Sequence, residues 1–500
     1  MKTTLAVMLL IWMMAPAARA QDNGQQPEGN AQQAQTGTQT QPSGTPPPSG
    51  SQAPPPGLQG PPGTQTETES EPAGTATDTR PLAGAEAITT TLPSAGRSYL
   101  TPSFSIWQGV DTNPRLISGQ SGATGATAAA IPVGTLGLHV MGRHNSFDLG
   151  FSGGGVLYES DWSNSAAFDQ LEISDMYTAR RWKLFFSDRA SYLPEAALGF
   201  GGIGFAGVFN NSQSLGIGGG VTQMNSFYTP EQSFLTGYAG TTSNVGMAQF
   251  QYFATPRTSV TAMGAFGYMH YSQSGLTSSN DRFGTLSIDH EFTPTQSLSF
   301  SYTVSQIHFN GGTVAFSDNM WRLGYGYRIT NHFSLTLVAG PELTYSAIAG
   351  VTGESKRLGW AGQGRLGYRR ERGGASISYM HYLTPGSGVF QGAETSLLSV
   401  AVNHELSRRW SGDVTAAWSR NGAFGSYSVS SANRGVGQIN YEYGSVRLSR
   451  TLGHTTRFFA VYELQHQAAG APVVAGSNSR VLNVQIVGLG FEWHPRPLGL

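Results

Sequence analysis

The chain of 500 residues contains no cysteine, few lysines and no long hydrophobic run. Without cysteine it can form no disulfide, thiolate metal site or iron–sulfur cluster. Only Lys2, Lys183 and Lys356 are lysines among its 29 basic residues, and the formal net charge is −1. A balanced charge gives no reason to expect a nucleic-acid partner. The mean hydropathy of −0.22 and the missing apolar run predict no membrane-spanning helix.

Residues 1–20 have the three parts of a secretory signal peptide. Lys2 carries the positive charge, residues 5–14 form a short apolar core, and Ala18-Arg19-Ala20 offers a small-x-small cleavage pattern. The apolar core is shorter than the roughly 20 residues that a spanning helix needs. The sequence therefore predicts export, and without cysteine a lipoprotein anchor is excluded.

Residues 21–97 are rich in Gln, Pro, Thr, Ser and Gly and contain no Phe, Trp or Tyr. Such a segment cannot bury enough apolar area to offset the entropy lost on ordering. We expect a disordered spacer in the periplasm. A segment that contacts peptidoglycan or a periplasmic partner is the alternative.

From Tyr99 onward the dominant pattern is a strict alternation of apolar and small polar residues, clearest in Leu298 to Val304, Leu-Ser-Phe-Ser-Tyr-Thr-Val. A strand of this kind has one apolar and one polar face. In a soluble sandwich the apolar face would meet a second sheet, and in a membrane barrel it would meet lipid. The export signal, the absence of cysteine and the aromatic residues near strand ends favour the barrel.

Short turns alternate with longer Gly/Ser/Asn-rich loops along residues 98–500. Eight segments contain turn-forming residues: 143–145, 179–181, 255–257, 293–296, 330–332, 370–373, 407–409 and 452–454. Short turns at one rim and long loops at the other are typical of outer-membrane barrels, with the short turns in the periplasm. Eight such turns and two periplasmic chain ends predict an all-β, antiparallel transmembrane barrel of 18 strands, or 16 because the first strands, 98–110 and 133–142, are weakly patterned.

The alternation also assigns side chains to the two faces of the barrel. In residues 321–328 it predicts an outer face of Trp321, Leu323, Tyr325 and Tyr327 and a lumen face of Arg322, Gly324, Gly326 and Arg328. It likewise directs Leu398, Val400 and Val402 toward lipid. In residues 439–448 the apolar phase changes from Ile439, Tyr441 and Tyr443 to Val446 and Leu448, which predicts a bulge at Gly444-Ser445.

Two similar segments precede periplasmic turns, residues 287–292 and 401–406. This similarity suggests that the barrel grew by duplication of a β-hairpin. Their histidines, His290 and His404, fall on the outward face near the rim, so we expect interfacial residues rather than metal ligands. No cofactor or metal site is expected.

The last strand alternates Val487, Leu489, Phe491 and Trp493 with small or polar residues. This resembles the final-strand signal read by the outer-membrane assembly machinery, although here residues 494–500 follow it. Residues 98–500 as a whole resemble a porin-type outer-membrane barrel. The resemblance implies insertion into outer-membrane lipid. It also implies that the longest connection, residues 193–243, folds inward to narrow the lumen, with an external loop or an extra hairpin as the alternatives.

The phase of each strand identifies charged residues expected to line the lumen. The acidic candidates are Asp148, Glu172, Asp289, Glu291, Glu405, Asp413, Glu442 and Glu463. The basic candidates are Lys183, Arg322, Arg328, Arg365, Arg369, Arg447 and Arg457. Arginines on neighbouring strands and carboxylates two strands away could create a field across the lumen. A ladder of neutralising pairs that stiffens the wall is the alternative.

The sequence contains no Gly-x-Ser-x-Gly elbow, His-Glu-x-x-His helix or phosphate loop, so no catalytic function is expected. The leading hypothesis is passive or weakly selective diffusion of small polar solutes across the bacterial outer membrane. A second hypothesis is an outer-membrane exit barrel for exopolysaccharide, which stacked aromatic residues in the lumen would indicate. The sequence offers only three inward aromatics, Phe185, Tyr382 and Phe459, too few to support it. A closed structural or adhesive barrel is a third hypothesis. The sequence does not decide whether the protein forms a homo-oligomer.

Overall fold

A computed structural model describes residues 98–112, 126–159, 165–193, 241–272, 277–310, 314–348, 355–384, 392–423, 438–469 and 481–500. The expected signal peptide, the spacer and nearly all of the connection 193–243 lie outside the described residues. Within the described ranges no helix is long and apolar enough to cross a membrane.

The described residues form eighteen long strands and one short strand. Their bounds are β1 Tyr99–Asp111, β2 Thr127–Met141, β3 Asn145–Tyr158, β4 Ala166–Thr178, β5 Trp182–Leu193, β6 Thr241–Thr255, β7 Thr258–Tyr271, β8 Ser279–Thr293, β9 Gln296–Phe309, β10 Val314–Arg328, β11 Phe333–Ile348, β12 Ser355–Arg370, β13 Gly373–Thr384, β14 Ala393–Glu405, β15 Trp410–Ala423, β16 Gln438–Thr451, β17 Thr456–Ala469, β18 Val481–Trp493 and β19 Leu498–Gly499.

Each long strand pairs antiparallel with its neighbours in sequence, and β1 pairs with β18, so the sheet closes on itself. Closure leaves no free edge strand. A free edge would be costly in hydrocarbon, because its unpaired backbone groups could not hydrogen-bond with water. The eight predicted short turns all join consecutive strands at one rim. The predicted antiparallel barrel of 18 strands is confirmed.

Two local predictions are wrong. Strand β2 begins at Thr127 rather than Val133, because Ala and Thr residues without an apolar pattern continue the ladder with β1. The register shifts occur beside periplasmic turns, between Phe253 and Thr255 and between Glu291 and Thr293. No bulge occurs at residues 444–445, where β16 pairs without interruption on both sides.

The seam between β1 and β18 is extended by the last residues of the chain. Strand β18 pairs with residues 104–111 of β1 and leaves the first residues of β1 uncovered. Strand β19 pairs with these first residues, Tyr99 with Gly499 and Leu100 with Leu498. The backbone N–H of Leu500 donates to the carbonyl of Ser98. The tail after the last long strand therefore extends the backbone pairing of β1 to its first two residues.

Candidate functional site

Side chains of each strand divide between the outer surface and the lumen, because successive residues point to opposite faces. Leu323 is 57% exposed on the outer surface, whereas the adjacent Arg322 is 5% exposed on the lumen side. Trp321, Leu398 and Val402 also lie exposed on the outer surface. An exposed apolar outer wall is what lipid requires. The predicted faces of β10 and β14 are therefore confirmed.

Much of the lumen wall is apolar and buried, contrary to the expectation of a polar interior. One cluster on β1–β4 and β17 comprises Trp107, Ala129, Ile131, Val133, Val156, Tyr158, Phe168, Phe459 and Val461. A second comprises Met176, Phe185, Met247 and Met263. A third comprises Ile307, Phe309 and Phe316. Two of the three expected inward aromatics, Phe185 and Phe459, thus belong to packed clusters rather than to an open track.

Strand β16 reverses the predicted faces over its first half. Because its pairing is uninterrupted and Val446 is exposed outside, Tyr441 and Tyr443 fall on the lumen side. There they are 0% and 4% exposed. Glu442, expected in the lumen, lies on the outer surface opposite Trp418. The prediction failed because it assumed that apolar residues always face lipid, whereas this lumen accommodates two tyrosines.

A charged cluster lies on the lumen face of β15–β18 near the periplasmic rim. Glu492 binds the Arg447 guanidinium at 2.5 Å, with Arg457 at 3.7 Å and His494 at 3.3 Å. Asp413 is the direct cross-strand partner of Arg447. Three basic groups around one nearly buried carboxylate make this cluster a link between the last four long strands.

Arg322 belongs to a second buried network on β9–β11. Its Nη2 atom donates to Thr303 Oγ1 at 2.9 Å, and Glu342 attracts its guanidinium. The carboxyl group of Glu342 lies close to that of Asp318, and Thr344 Oγ1 donates to Asp318 at 3.2 Å. Arg322 is therefore held within this buried network and is not exposed to the lumen.

The lumen is open to solvent in the periplasmic half of β12–β15. The exposed lumen-facing side chains there, which we call the periplasmic vestibule, are Arg365, Arg369, Asn403, Glu405 and Asp413. Four consecutive direct pairings join Arg369, Gly374, Asn403, Asp413 and Arg447 into one row across five strands. This wall therefore presents guanidinium, amide and carboxylate groups to water.

The candidate residues on β8 and β12 share another row. Glu291, Ser297, Gly326, Thr336 and Arg365 are consecutive direct partners. With strands about 4.8 Å apart, Glu291 and Arg365 stand about 19 Å apart along the wall. Glu291 is therefore separated from the β12 arginines, whereas Glu405 and Asp413 share the wall that carries them.

The half-buried Arg328 faces the lumen on β10 near the same rim. Neither Arg328 nor Arg365 makes an ion pair with any residue that the structure describes. These two guanidinium groups are the candidate cations left available for a solute.

The extracellular end of the β13–β14 pair leaves the wall and leans over the lumen. Pairing of β12 with β13 stops at Gly362 and His381, and beyond this point the backbone N–H of Leu383 donates to Glu342 on β11. Gly392, with a φ of +85°, lies against the Phe316 ring on β10 so closely that a Cβ would meet it at 2.8 Å. These contacts past β12 narrow the extracellular half of the lumen.

The two rim histidines lie on the outer surface. His290 hydrogen-bonds Thr258 at 3.0 Å and packs edge-on against Phe292, and His404 is exposed. In the described part of the chain, no group of three or more His, Asp or Glu side chains could hold a metal ion.

A closed sheet of eighteen long strands with an apolar outer surface and a partly polar lumen decides the architecture. The fold is that of a porin-like outer-membrane β-barrel. No family model and no curated protein matches the chain. Solved structures similar to this porin-like barrel include OccK2 (OpdF) of Pseudomonas aeruginosa, at 7% identity and a TM-score of 0.39, covering 79% of this chain and 98% of that one.

Two further solved structures are similar to this chain at comparable levels. A BenF-like porin from Pseudomonas fluorescens Pf-5 has 7% identity and a TM-score of 0.40, covering 81% of this chain and 99% of its own. Acinetobacter baumannii OccAB3 has 9% identity and a TM-score of 0.39, covering 80% and 99%. The functional interpretation of this porin-like barrel therefore rests on its own lumen.

Proposed function

We propose that the barrel is an outer-membrane channel for diffusion of small polar solutes, with the periplasmic vestibule as its water-filled part. The observation that carries this proposal is the exposure of Arg365, Asn403, Glu405 and Asp413 on the lumen side of the wall. A closed barrel would bury these groups or pair them, because a charge held away from water is costly.

The remaining wall supports a restrictive channel rather than a wide one. Its apolar clusters and the inward-leaning end of β13–β14 reduce the open cross-section of an eighteen-stranded barrel. A barrel of this strand number is otherwise wide enough for an aqueous channel. We therefore propose permeation by small solutes only, with weak selectivity set by Arg328 and Arg365.

Liposome swelling tests this proposal directly. Vesicles containing the refolded barrel are diluted into isotonic arabinose, glucose, sucrose or raffinose, and the initial swelling rate is followed by light scattering. We expect arabinose to enter fastest and raffinose not to enter. Protein-free vesicles and vesicles containing a small closed barrel are the controls.

The burial of most lumen-facing side chains favours a second candidate, a closed structural barrel. The same assay separates the two. Vesicles that contain verified, heat-modifiable barrels and yet fail to swell in arabinose would contradict the channel and support the closed barrel.

A further inference from the structure

Asp289, on the lumen face of β8, is a buried carboxylate with no cationic side chain beside it among the described residues. It is 2% exposed, and its Oδ1 atom has no hydrogen-bond partner among the described residues. Its Oδ2 atom accepts one long hydrogen bond, 3.5 Å from Ser287 Oγ. A buried carboxylate destabilises a protein unless a cation or several donors compensate for its lost hydration. Within the described part of the chain, Asp289 therefore has no group that compensates for its lost hydration.

Hydroxyl side chains surround Asp289 on the same face of the sheet. Ser259 and Ser299 are its direct partners on β7 and β9. The adjacent rows bring the number of hydroxyl groups to six, and together with Asp289 we call these residues the serine bed: Ser259, Thr261, Ser287, Ser297, Ser299 and Ser301. The hydroxyl groups of Thr261 and Ser297 also lack a hydrogen-bond partner within the described ranges. Two hydroxyls and one carboxylate oxygen are thus left for a ligand.

The basic side chains of the neighbouring strands are directed elsewhere. Arg322 donates to Thr303, on the far side of the serine bed from the periplasmic rim. His290 lies on the outer surface. Arg257 is in the exposed periplasmic turn, where its carbonyl accepts the backbone N–H of Glu291. The side chains of Arg322 and His290 are therefore both directed away from Asp289.

We propose that the serine bed binds a polyhydroxylated primary amine, an amino polyol or amino sugar, with its ammonium group against Asp289. An ammonium group brings three donors, which match the free carboxylate oxygen and the neighbouring hydroxyl oxygens. The ligand hydroxyls then pair with Ser297, Ser299 and Thr261. The row offers no apolar surface to an alkyl chain, and one carboxylate supplies too few oxygens for Ca²⁺.

This proposal rests on the proposed channel, which supplies the route by which a solute reaches the lumen. Glu291, half-buried on the same face and about 7 Å nearer the periplasmic rim, marks the approach. A solute entering from the periplasmic mouth meets Glu291 first and Asp289 next.

The matched probes are glucamine (1-amino-1-deoxysorbitol) and sorbitol, which differ by one ammonium group in place of one hydroxyl. Each is added to open channels in planar bilayers, and the transient block of ion current is measured. Binding to the folded barrel in detergent is measured in parallel by calorimetry. We expect glucamine to bind and to block the current, and sorbitol to do neither. Butylamine, which lacks hydroxyl groups, should bind at least tenfold more weakly than glucamine, because it loses the hydrogen bonds to the serine bed.

Asp289→Asn should weaken glucamine binding by about tenfold or more, since it removes the charge and keeps the shape. Ser299→Ala should weaken it less. Glu442→Gln, which removes a carboxylate on the outer surface opposite Trp418, is the matched control and should leave binding unchanged. Heat-modifiability on gels verifies that each variant is folded.

The outcomes separate this inference from the channel itself. Conducting wild-type barrels that respond equally to glucamine and sorbitol would overturn the serine-bed site and leave the channel standing. Silent barrels that still bind glucamine in detergent would overturn the channel and support the site. Equal binding by wild type and Asp289→Asn would place the amine elsewhere and contradict the proposal.

Discussion

The indole of Trp107 on β1 lies against Gly488 on β18, across the seam at which the first and last long strands close the barrel. A Cβ atom at residue 488 would overlap the Trp107 indole, which is nearly buried in the lumen wall. On the same strand, Gly490 is covered in the same way by Phe459. Two glycines of β18 are thus each covered by an aromatic ring of a neighbouring strand on the lumen side.

Gly488→Ala should therefore weaken closure of the barrel. Inserting a methyl group into packed surroundings typically destabilises by about 1–3 kcal/mol. The measurement is the temperature at which the folded band disappears in heat-modifiability gels. Gly444→Ala is the control, because a Cβ there meets nothing within 4 Å. Equal temperatures for the two variants would show that the ring does not rest on Gly488.

Glu492→Gln should destabilise the barrel through the cluster at the periplasmic rim. It removes the charge that neutralises Arg447, Arg457 and His494 and leaves these basic groups facing one another. Loss of one partner from a buried pair typically costs about 3 kcal/mol. Urea-induced unfolding in lipid vesicles measures the change. Glu442→Gln, on the outer surface, is the matched control and should not destabilise; the opposite order would contradict the assigned faces.

The absence of cysteine allows the faces to be tested one residue at a time. Asn403→Cys introduces a thiol in the periplasmic vestibule, and Val402→Cys introduces one on the lipid side. A charged maleimide that cannot enter lipid should react with the first variant and leave the second unmodified. A fluorophore coupled at position 402 after unfolding should be quenched by brominated lipid. Labelling of both variants at the same rate would exclude the assigned register of β14.

Arg328→Ala combined with Arg365→Ala should shift ion selectivity toward cations. The two guanidinium groups face the lumen without an ion pair in the described part of the chain, so their charge acts on passing ions. Reversal potentials under a salt gradient measure the shift. Arg450→Ala, whose guanidinium lies 5.4 Å over the Trp410 ring, is the control. An unchanged reversal potential in the double variant would exclude a field set by these arginines.

The eighteen strands and eight turns could be predicted because turn formers and alternation are local properties of the sequence. Pro256, Pro294 and Gly453 mark turns regardless of what the strands contact, and the alternation of Leu298 to Val304 fixes its own period. The outer-surface residues of β10 and β14 were predictable as well, because lipid favours apolar side chains over most of its depth.

The lumen could not be predicted from the same pattern, because an interior wall can be wet or packed. Tyr441 and Tyr443 have the same apolar character as lipid-facing residues, and only the uninterrupted pairing of β16 places them inside. Arg322 and Arg365 were indistinguishable as sequence candidates. The first is buried beside Thr303 on β9 and Glu342 on β11, and the second is exposed. The serine bed was visible as alternation, but the isolation of Asp289 depends on where the neighbouring arginines point.

Single-channel recording on the refolded barrel in planar bilayers tests the central claim most directly. Stable, uniform conductance steps that shrink when large uncharged polymers fill the mouth would show a continuous aqueous path, as the exposed periplasmic vestibule predicts. The absence of any conductance from barrels shown to be folded and inserted would contradict the channel and leave a closed structural barrel.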